Sequence, residues 1–281
     1  MYKLGLIGYP LGHSLSAIIQ KAGFKSIGIE GTYEILETPP EDLVDRVKFL
    51  KVNGYNGFNV TIPLKVPISL FLDEIDETAN IAGCANTIKI MEDKSFKGYN
   101  TDIYGFWAAL PKNKILTGKR AGIIGTGGAS RAATIGLIQA GIKEIDYFSR
   151  NIINASEMIN NMRKTFPDIQ FNNYQIQMIR DLSELAILVN CTPVGMRGHS
   201  MDLAPITKYD IEKMNKDAIV YDVIYNPTKT LLLKYAEECG LTTVNGLDML
   251  INQGAKALEI WTDKKPDVQT MKIAALEALQ N

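Results

Sequence analysis

The segment from Lys119 to Gly141, KRAGIIGTGGASRAATIGLIQAG, constrains the fold most, because a short apolar run, a glycine turn and a helical pattern follow one another directly. Residues 121–124 are typical of a buried strand, and small and apolar residues recur at helical spacing from Ala129 onward. Between the two patterns lie Gly125, Gly127 and Gly128. A backbone without Cβ atoms lets a phosphate group come close, and the amides and dipole of the helix start would face its charge. The segment therefore predicts a dinucleotide-binding βαβ unit.

The glycine pattern is G-x-G-x-x, with Ser130 where a third glycine often stands, so a flexible strand-to-helix turn without a ligand is the alternative interpretation. A second apolar run, residues 145–148, follows at the distance expected for a βαβ unit. There an acidic residue would bind the ribose 2′-hydroxyl of NAD, but the chain has Ser149, Arg150 and Asn151. A guanidinium and two small polar groups suit a 2′-phosphate, so we expect NADP as the cofactor.

Composition favours a small-molecule partner. The 281 residues are 46% hydrophobic and 22% charged, which is ordinary for a globular chain of one large or two ordinary domains. The net charge of −1 comes from 30 basic and 31 acidic residues without a long block of one sign, so we expect neither nucleic acid nor a membrane surface as partner. A homodimer is compatible with these features.

Three cysteines, Cys84, Cys191 and Cys239, are an odd number and lack the close spacing of zinc ligands, so we expect no metal and a reducing cytoplasm. The first apolar run breaks at Gly8, which argues against a signal peptide, and no run approaches the length of a membrane span.

Strand and helix patterns alternate over the first hundred residues, which predicts an α/β fold with a largely parallel sheet. The strand patterns are residues 3–8, 31–36 and 55–62, and the helical patterns are residues 17–22, 41–51 and a stretch entered near Pro63. Further strands are predicted at residues 121–124, 145–148, 186–190 and 218–223. We expect an α/β substrate-binding and catalytic domain (1–105), a doubly wound Rossmann-type dinucleotide-binding domain (106–244) and C-terminal helices (245–281) that return to the first domain.

The loop GYPLGHSLS, residues 8–16, follows the first strand at the edge where open α/β sheets bind ligands. If this segment is extended, Ser14 and Ser16 point the same way and could bind one carboxylate or polyol. The alternative is a helix cap, with Ser16 at the N-cap of residues 17–22. His13 is either an acid or base or a structural loop residue.

The segment GFNVTIPLK, residues 57–65, places Asn59 and Thr61 on one face of a strand, with Lys65 one turn into a following helix. A lysine on a solvated helix surface is the ordinary interpretation. Asp102, which follows another predicted strand in GYNTD, offers a carboxylate partner, and such a pair in a cleft can handle a proton. Asp102 would otherwise serve as an N-cap.

Seven segments in order resemble the motif series of the shikimate dehydrogenase family: NVTIPLK, GCANTI, GYNTD, GTGGASRA, NCTPVGM, YDVIYNP and NGLDMLINQGA. The resemblance covers essentially the whole chain. It implies reversible NADPH-dependent reduction of 3-dehydroshikimate to shikimate, in the biosynthesis of aromatic amino acids. A quinate/shikimate dehydrogenase using NAD or NADP is the near alternative, and a non-catalytic nucleotide sensor on the same scaffold is another.

The resemblance also implies residue roles. Lys65 and Asp102 would be the catalytic pair. The substrate pocket would be lined by Ser14, Ser16, Asn59, Thr61, Asn86, Tyr225 and Gln253. The cofactor would be surrounded by Gly125, Thr126, Gly127, Gly128, Ala129, Ser130, Ser149, Arg150, Asn151, Thr192, Val223 and Gly246.

The chain departs from the family pattern at three places, one of which is Asp248, where a small residue is common. After HSLS it has Ala17, Gln20 and Lys21 instead of a proline and a His-Asn pair, which predicts altered packing behind the pocket. The Asn-Arg-Thr phosphate clamp is here Ser149, Arg150 and Asn151, which keeps the guanidinium.

Overall fold

The computed structural model describes residues 1–12, 14–179, 181–198 and 200–280. They form two compact units, residues 1–105 with 251–281 and residues 106–250. Within the described ranges, no helix combines the length and apolar character needed to cross a membrane.

The first unit contains a six-stranded sheet in the order β2-β1-β3-β5-β6-β4. Its elements are β1 (Tyr2–Gly8), α1 (Ser16–Ser26), β2 (Gly31–Glu37), α2 (Leu43–Val52), β3 (Gly57–Val60), β4 (Glu74–Ile75), α3 (Glu77–Ala82), β5 (Thr87–Ile90) and β6 (Phe96–Tyr99). Helix α4 (Asp102–Ala109) follows and contains the change to the second unit.

The expectation of a largely parallel first sheet is wrong for the two pairings of β5, while β4 pairs parallel with β6. β1 pairs parallel with β2 and β3, but β5 is antiparallel to β3 and to β6. The reason is a tight turn between β5 and β6. There Lys94 adopts a positive φ and the Asp93 carboxylate accepts the backbone N–H of Ser95 at 2.9 Å.

The expectation of a helix that begins near Pro63 is also wrong. Residues 62–66 form turns, and a short 3₁₀ helix, Pro67–Phe71, follows. Pro67 lacks the N–H donor that an α-helix begun at Pro63 would need at its fifth residue, so the chain forms tighter, shorter turns.

The second unit is built on a sheet in the order β12-β11-β10-β7-β8-β9, in which every strand pair is parallel. Its elements are β7 (Arg120–Ile124), α5 (Gly128–Gln139), β8 (Glu144–Ser149), α6 (Ile152–Thr165), β9 (Gln170–Gln175), β10 (Leu185–Asn190), α7 (Lys208–Glu212), β11 (Ile219–Asp222), α8 (Leu231–Glu238) and β12 (Thr242–Val244). This is the doubly wound order of a Rossmann-type fold, as predicted.

The C-terminal helices are α9 (Leu247–Thr262) and α10 (Val268–Gln280). The return to the first unit falls inside α9, after Leu250, which is later than the expected start at residue 245. From there α9 contributes Leu258 and Trp261 to a buried cluster with Leu4 of β1 and Phe24 of α1. Burying each of these side chains contributes about 1.5–3 kcal/mol, so the C-terminal helices are an integral part of the first unit.

Candidate active site

Lys65 and Asp102 form an ion pair in the first unit. The Lys65 Nζ donates to Oδ2 of Asp102 at 2.5 Å, and Asp102 is only 5% exposed. Asp102 is the first residue of α4, but both of its carboxylate oxygens are used by side chains. The structure therefore supports neither the solvated lysine nor the N-cap interpretation of these residues.

Asn86 links the ion pair to α9. Its Nδ2 lies 2.8 Å from Oδ1 of Asp102, 3.0 Å from Oγ1 of Thr101 and 3.4 Å from Oε1 of Gln253. The backbone N–H of Thr101 donates to Oδ1 of Asn86 at 2.8 Å, which fixes the orientation of the amide. Four residues selected from the sequence, Lys65, Asn86, Asp102 and Gln253, thus meet at one place in the first unit.

Ser14 and Ser16 are both half-buried at the start of α1. The segment is not extended, because Leu15 already has right-handed helical φ and ψ. Nor is Ser16 an N-cap, since it is the first residue of α1 and the N-cap position is Leu15. Instead the Ser14 Oγ accepts the backbone N–H of Ser16 at 3.3 Å. His13 lies outside the described residues.

Asn59 is buried and its hydrogen-bonding capacity is nearly used. Its Nδ2 donates to the carbonyl of Asn86 at 3.0 Å and to Oγ1 of Thr87 at 2.9 Å, so both amide hydrogens have partners. Thr61, which follows β3, is more exposed, and its side chain lies against Gly8. Thr61 is therefore better placed than Asn59 to donate to a ligand.

The glycine turn of the second unit has the geometry that the sequence predicts. Gly125 has a φ of +101°, and a Cβ added there would lie 2.9 Å from Cγ2 of Thr192. Gly127 is the N-cap of α5 without a side-chain hydrogen bond, and a Cβ there would meet no heavy atom within 4 Å. Thr126, Gly128 and Ala129 are partly exposed beside it. The start of α5 is therefore exposed at Gly127, and the first N–H groups of a helix, which have no intrahelical partner, are the donors that an anion site uses.

Two hydroxyls near this turn are buried without a hydrogen-bond partner among the described residues, Oγ of Ser130 and Oγ of Ser149. Arg150 follows at the end of β8, is exposed and has no ion-pair partner within the described part of the chain. Asn151 Oδ1 accepts the backbone N–H of Ile153, in the first turn of α6. Arg150 is therefore a cation available to a ligand at the end of β8.

Val223 and Gly246 lie against each other. The Gly246 N–H donates to the carbonyl of Ile224 at 2.9 Å, and a Cβ on Gly246 would collide with the carbonyl of Val223. Tyr225 follows in the same loop and is partly buried. Because Tyr225 belongs to the second unit, its place in the substrate pocket stays a prediction.

Two stretches of the chain match family models, the shikimate dehydrogenase substrate binding domain over residues 6–88 and the shikimate 5′-dehydrogenase C-terminal domain over residues 246–276. A shikimate dehydrogenase (NADP(+)) of Methanococcus maripaludis is 42% identical over 275 residues, which are 96% of this chain and 95% of that protein. The chain belongs to the shikimate dehydrogenase family.

Solved structures agree with this family assignment. The shikimate 5-dehydrogenase of Thermus thermophilus, in complex with NADP(H) and shikimate, superposes with a TM-score of 0.87 at 31% identity, over 99% of this chain and 100% of that one. A 5-ketofructose reductase of a Gluconobacter strain superposes with a TM-score of 0.88 at 31% identity, over 98% of each chain.

Some residues that contact the candidate groups of either unit were not selected from the sequence. Thr87 and Thr101 hydrogen-bond to Asn59, Asn86 and each other. Asp222, at the end of β11, is buried, and burial raises its pKa to about 6 although Thr230, the Ile224 N–H and Asn190 donate to it. Thr87 and Thr101 lie within the motifs GCANTI and GYNTD quoted above. Their place in these motifs is the sequence signal that could have identified them.

Proposed function

We propose that this chain is an NADP-dependent shikimate dehydrogenase, which reversibly reduces 3-dehydroshikimate to shikimate in the biosynthesis of aromatic amino acids. The observation that carries the proposal is the buried Lys65–Asp102 pair, held by Asn86 and adjoining Gln253. A cation, a carboxylate and two amides suit a small substrate that carries hydroxyl groups.

The second unit fits a dinucleotide on its own structural grounds. Gly125 and Gly127 leave the backbone accessible, the first turn of α5 has N–H groups that a helix itself does not pair, and Arg150 supplies an exposed guanidinium for a 2′-phosphate. Thr192, Val223 and Gly246 complete the proposed set of cofactor-binding residues. When bound, the nicotinamide accepts or supplies the hydride.

The residues of the first unit then bind the substrate and move one proton. In the reducing direction the Lys65 ammonium donates a proton to the oxygen that was the ketone, and Asp102 holds the ammonium in place. Ser14, Ser16 and Thr61 would bind the carboxylate and ring hydroxyls, and Asn86 and Gln253 would orient the reacting end. Tyr225 is a further predicted substrate-binding residue. Asn59 would act indirectly, by hydrogen bonds to Asn86 and Thr87, because both of its own donors are used on them.

In this proposal residues 1–105 form the substrate-binding and catalytic domain, residues 106–244 the NADP-binding domain, and residues 245–281 the helices that return to the first. A cytoplasmic location is consistent with the three free cysteines. A homodimer stays a prediction.

The test is a matrix of initial rates with shikimate, quinate and 5-ketofructose, each measured with NADP and with NAD. We expect the highest kcat/KM for shikimate with NADP. A higher value for quinate would support the quinate/shikimate dehydrogenase alternative. Absence of turnover with all three, in a protein that still binds NADP, would support a nucleotide sensor instead.

A further inference from the structure

Tyr33 lies on β2, the edge strand of the first sheet, and its hydroxyl reaches Asn59 on β3, with β1 between the two strands. The Tyr33 O–H donates to Oδ1 of Asn59 at 2.7 Å. Because both hydrogens of the Asn59 amide are used on Asn86 and Thr87, the carbonyl end of that amide must face Tyr33. Tyr33 is therefore the group that completes the hydrogen bonding of Asn59.

The same hydroxyl lies beside Ser16. The Ser16 hydroxyl is close enough to lower the pKa of Tyr33, although the larger effect of burial raises that pKa far above its ordinary value. Since the Tyr33 hydrogen points to Asn59, the Tyr33 oxygen is left as an acceptor for the Ser16 O–H. One phenol oxygen thus stands between a serine of the α1 start and an asparagine of β3.

The ring of Tyr33 is held in place by aromatic packing. It packs against the cluster of Leu4, Phe24 and Trp261, and its centroid lies 6.5 Å from that of Trp261. Trp261 is itself fixed, because its Nε1 donates to the carbonyl of Ile88 at 2.9 Å. A ring held in this way keeps its hydroxyl at a constant position without the entropy of a long flexible side chain.

We propose that Tyr33 is a positioning residue for substrate binding, which orients Ser16 and Asn59 through a single hydroxyl. In this proposal the Ser16 O–H would donate to Tyr33 in the free protein and would turn about its Cβ–Oγ bond to donate to the substrate carboxylate. The Tyr33 O–H stays on Asn59, which keeps the carbonyl of Asn86 and the hydroxyl of Thr87 in register. This inference deepens the proposed function and rests on it.

The test compares Tyr33→Phe with Tyr55→Phe. Tyr55 is a matched control, because its hydroxyl donates to Oε2 of Glu34 at 2.7 Å in the same unit, and Glu34 is not part of the hydrogen-bonded group around Lys65. We expect Tyr33→Phe to raise the shikimate dissociation constant in calorimetry about two- to tenfold, the range for one hydrogen bond. The turnover number at saturating shikimate and the NADP dissociation constant should not change, and Tyr55→Phe should alter none of the three.

A coupling experiment separates positioning from general loosening of the fold. If Tyr33 acts through Ser16, Ser16→Ala should cost less shikimate affinity in the Tyr33→Phe background than in the wild type. Thermal midpoints of all variants establish that they are folded.

Three results would overturn the inference. They are unchanged shikimate binding in Tyr33→Phe, equal weakening in Tyr55→Phe, and fully additive effects of the Tyr33 and Ser16 changes. A failure of the proposed function gives a different result, because the wild-type protein itself would then not bind shikimate. In that case the inference about Tyr33 would be wrong as well.

Discussion

At the candidate site of the first unit, the side chains are hydrogen-bonded to one another, whereas several candidate groups of the second unit are exposed or lack a hydrogen-bond partner among the described residues. Lys65 and Asn86 both donate to the Asp102 carboxylate within the first unit. Gly127 and Arg150 are exposed, and Oγ of Ser149 has no partner among the residues that the structure describes. The first arrangement fixes directions before a ligand arrives, while the second leaves donors for a ligand to satisfy.

The difference predicts different consequences of substitution. Removing a group from the first site breaks an arrangement that exists already, so the loss should fall on turnover or on substrate orientation. Removing a group from the second site takes away a contact that exists only with ligand. The loss there should fall on cofactor binding, with the stability of the free protein unchanged.

The largest effect is expected for Lys65→Ala. Loss of a positioned acid or base costs roughly 10²- to 10⁴-fold in turnover, and shikimate affinity should change much less because Asn86 and Gln253 remain. The measurement is turnover by initial rates together with shikimate binding by calorimetry. Lys97→Ala, which removes a lysine paired with Glu74 in the same unit, is the control and should behave as wild type. Poor binding with normal turnover at saturation would make Lys65 a binding residue.

Asp222 is an exception in the second unit, because it is buried and already hydrogen-bonded. Burial raises its pKa from 3.8 to about 6, so the folded protein holds this proton more tightly than the unfolded chain does. This contribution to the free energy of unfolding is complete below about pH 4 and is lost as the pH rises through 6. The pKa difference corresponds to about 3 kcal/mol at most.

Asp222→Asn removes the titration while an amide can still meet Thr230 and the Ile224 N–H. Relative to wild type, the variant should gain stability between pH 4 and pH 7, as measured by urea unfolding at each pH. Asp267→Asn is the control, since hydrogen bonds from Thr270 lower the pKa of that exposed carboxylate, so its difference from wild type should be constant between pH 5 and pH 7 and change only at lower pH. A wild type and an Asp222→Asn variant with parallel pH profiles would contradict the assignment.

Arg150→Ala should weaken NADP binding about ten- to a hundredfold, because a charge-assisted phosphate contact contributes roughly 1.5 to 3 kcal/mol. NAD binding should not change, since NAD has no 2′-phosphate. Lys164→Ala removes an exposed cation of α6 in the same unit and serves as the control. Equal losses for NADP and NAD in binding titrations would show that Arg150 does not read the 2′-phosphate.

The local geometry of the glycine turn was easier to predict from the sequence than the hydrogen bonds around Asn86, for a physical reason. Gly125, Gly127 and the start of α5 act through the backbone, and backbone sites leave a local pattern of glycines between a strand and a helix. The orientation of Asn86 depends on Thr101 and Gln253, which are distant in sequence, so no local pattern shows it. Tyr33 was missed for the same reason, because its partner Asn59 lies across an intervening strand.

The wrong expectations about secondary structure have causes in the local sequence. The helix expected near Pro63 does not form because Pro67 lacks the amide donor that its second turn would need. The antiparallel pairing of β5 and β6 was missed although MEDKS between them has the composition of a turn. The extended segment expected at Ser14 is instead the entry to α1.

The smallest expected effect comes from comparing two glycines of the second unit, Gly127 and Gly246. A Cβ on Gly127 meets nothing within 4 Å, and its φ of −82° suits any residue, so Gly127→Ala should leave the thermal midpoint of the free protein unchanged. It should weaken NADP binding about two- to tenfold, because a methyl group would hinder the approach of a phosphate to the α5 amides.

Gly246→Ala is the contrasting variant, since its Cβ would collide with the Val223 carbonyl in the free protein, at a cost of about 1–3 kcal/mol in stability. Thermal unfolding without ligand and NADP titration of both variants separate the two cases. If Gly127→Ala destabilised the free protein as much as Gly246→Ala does, the space beside Gly127 would be part of the packed fold, and the second site would be as prearranged as the first.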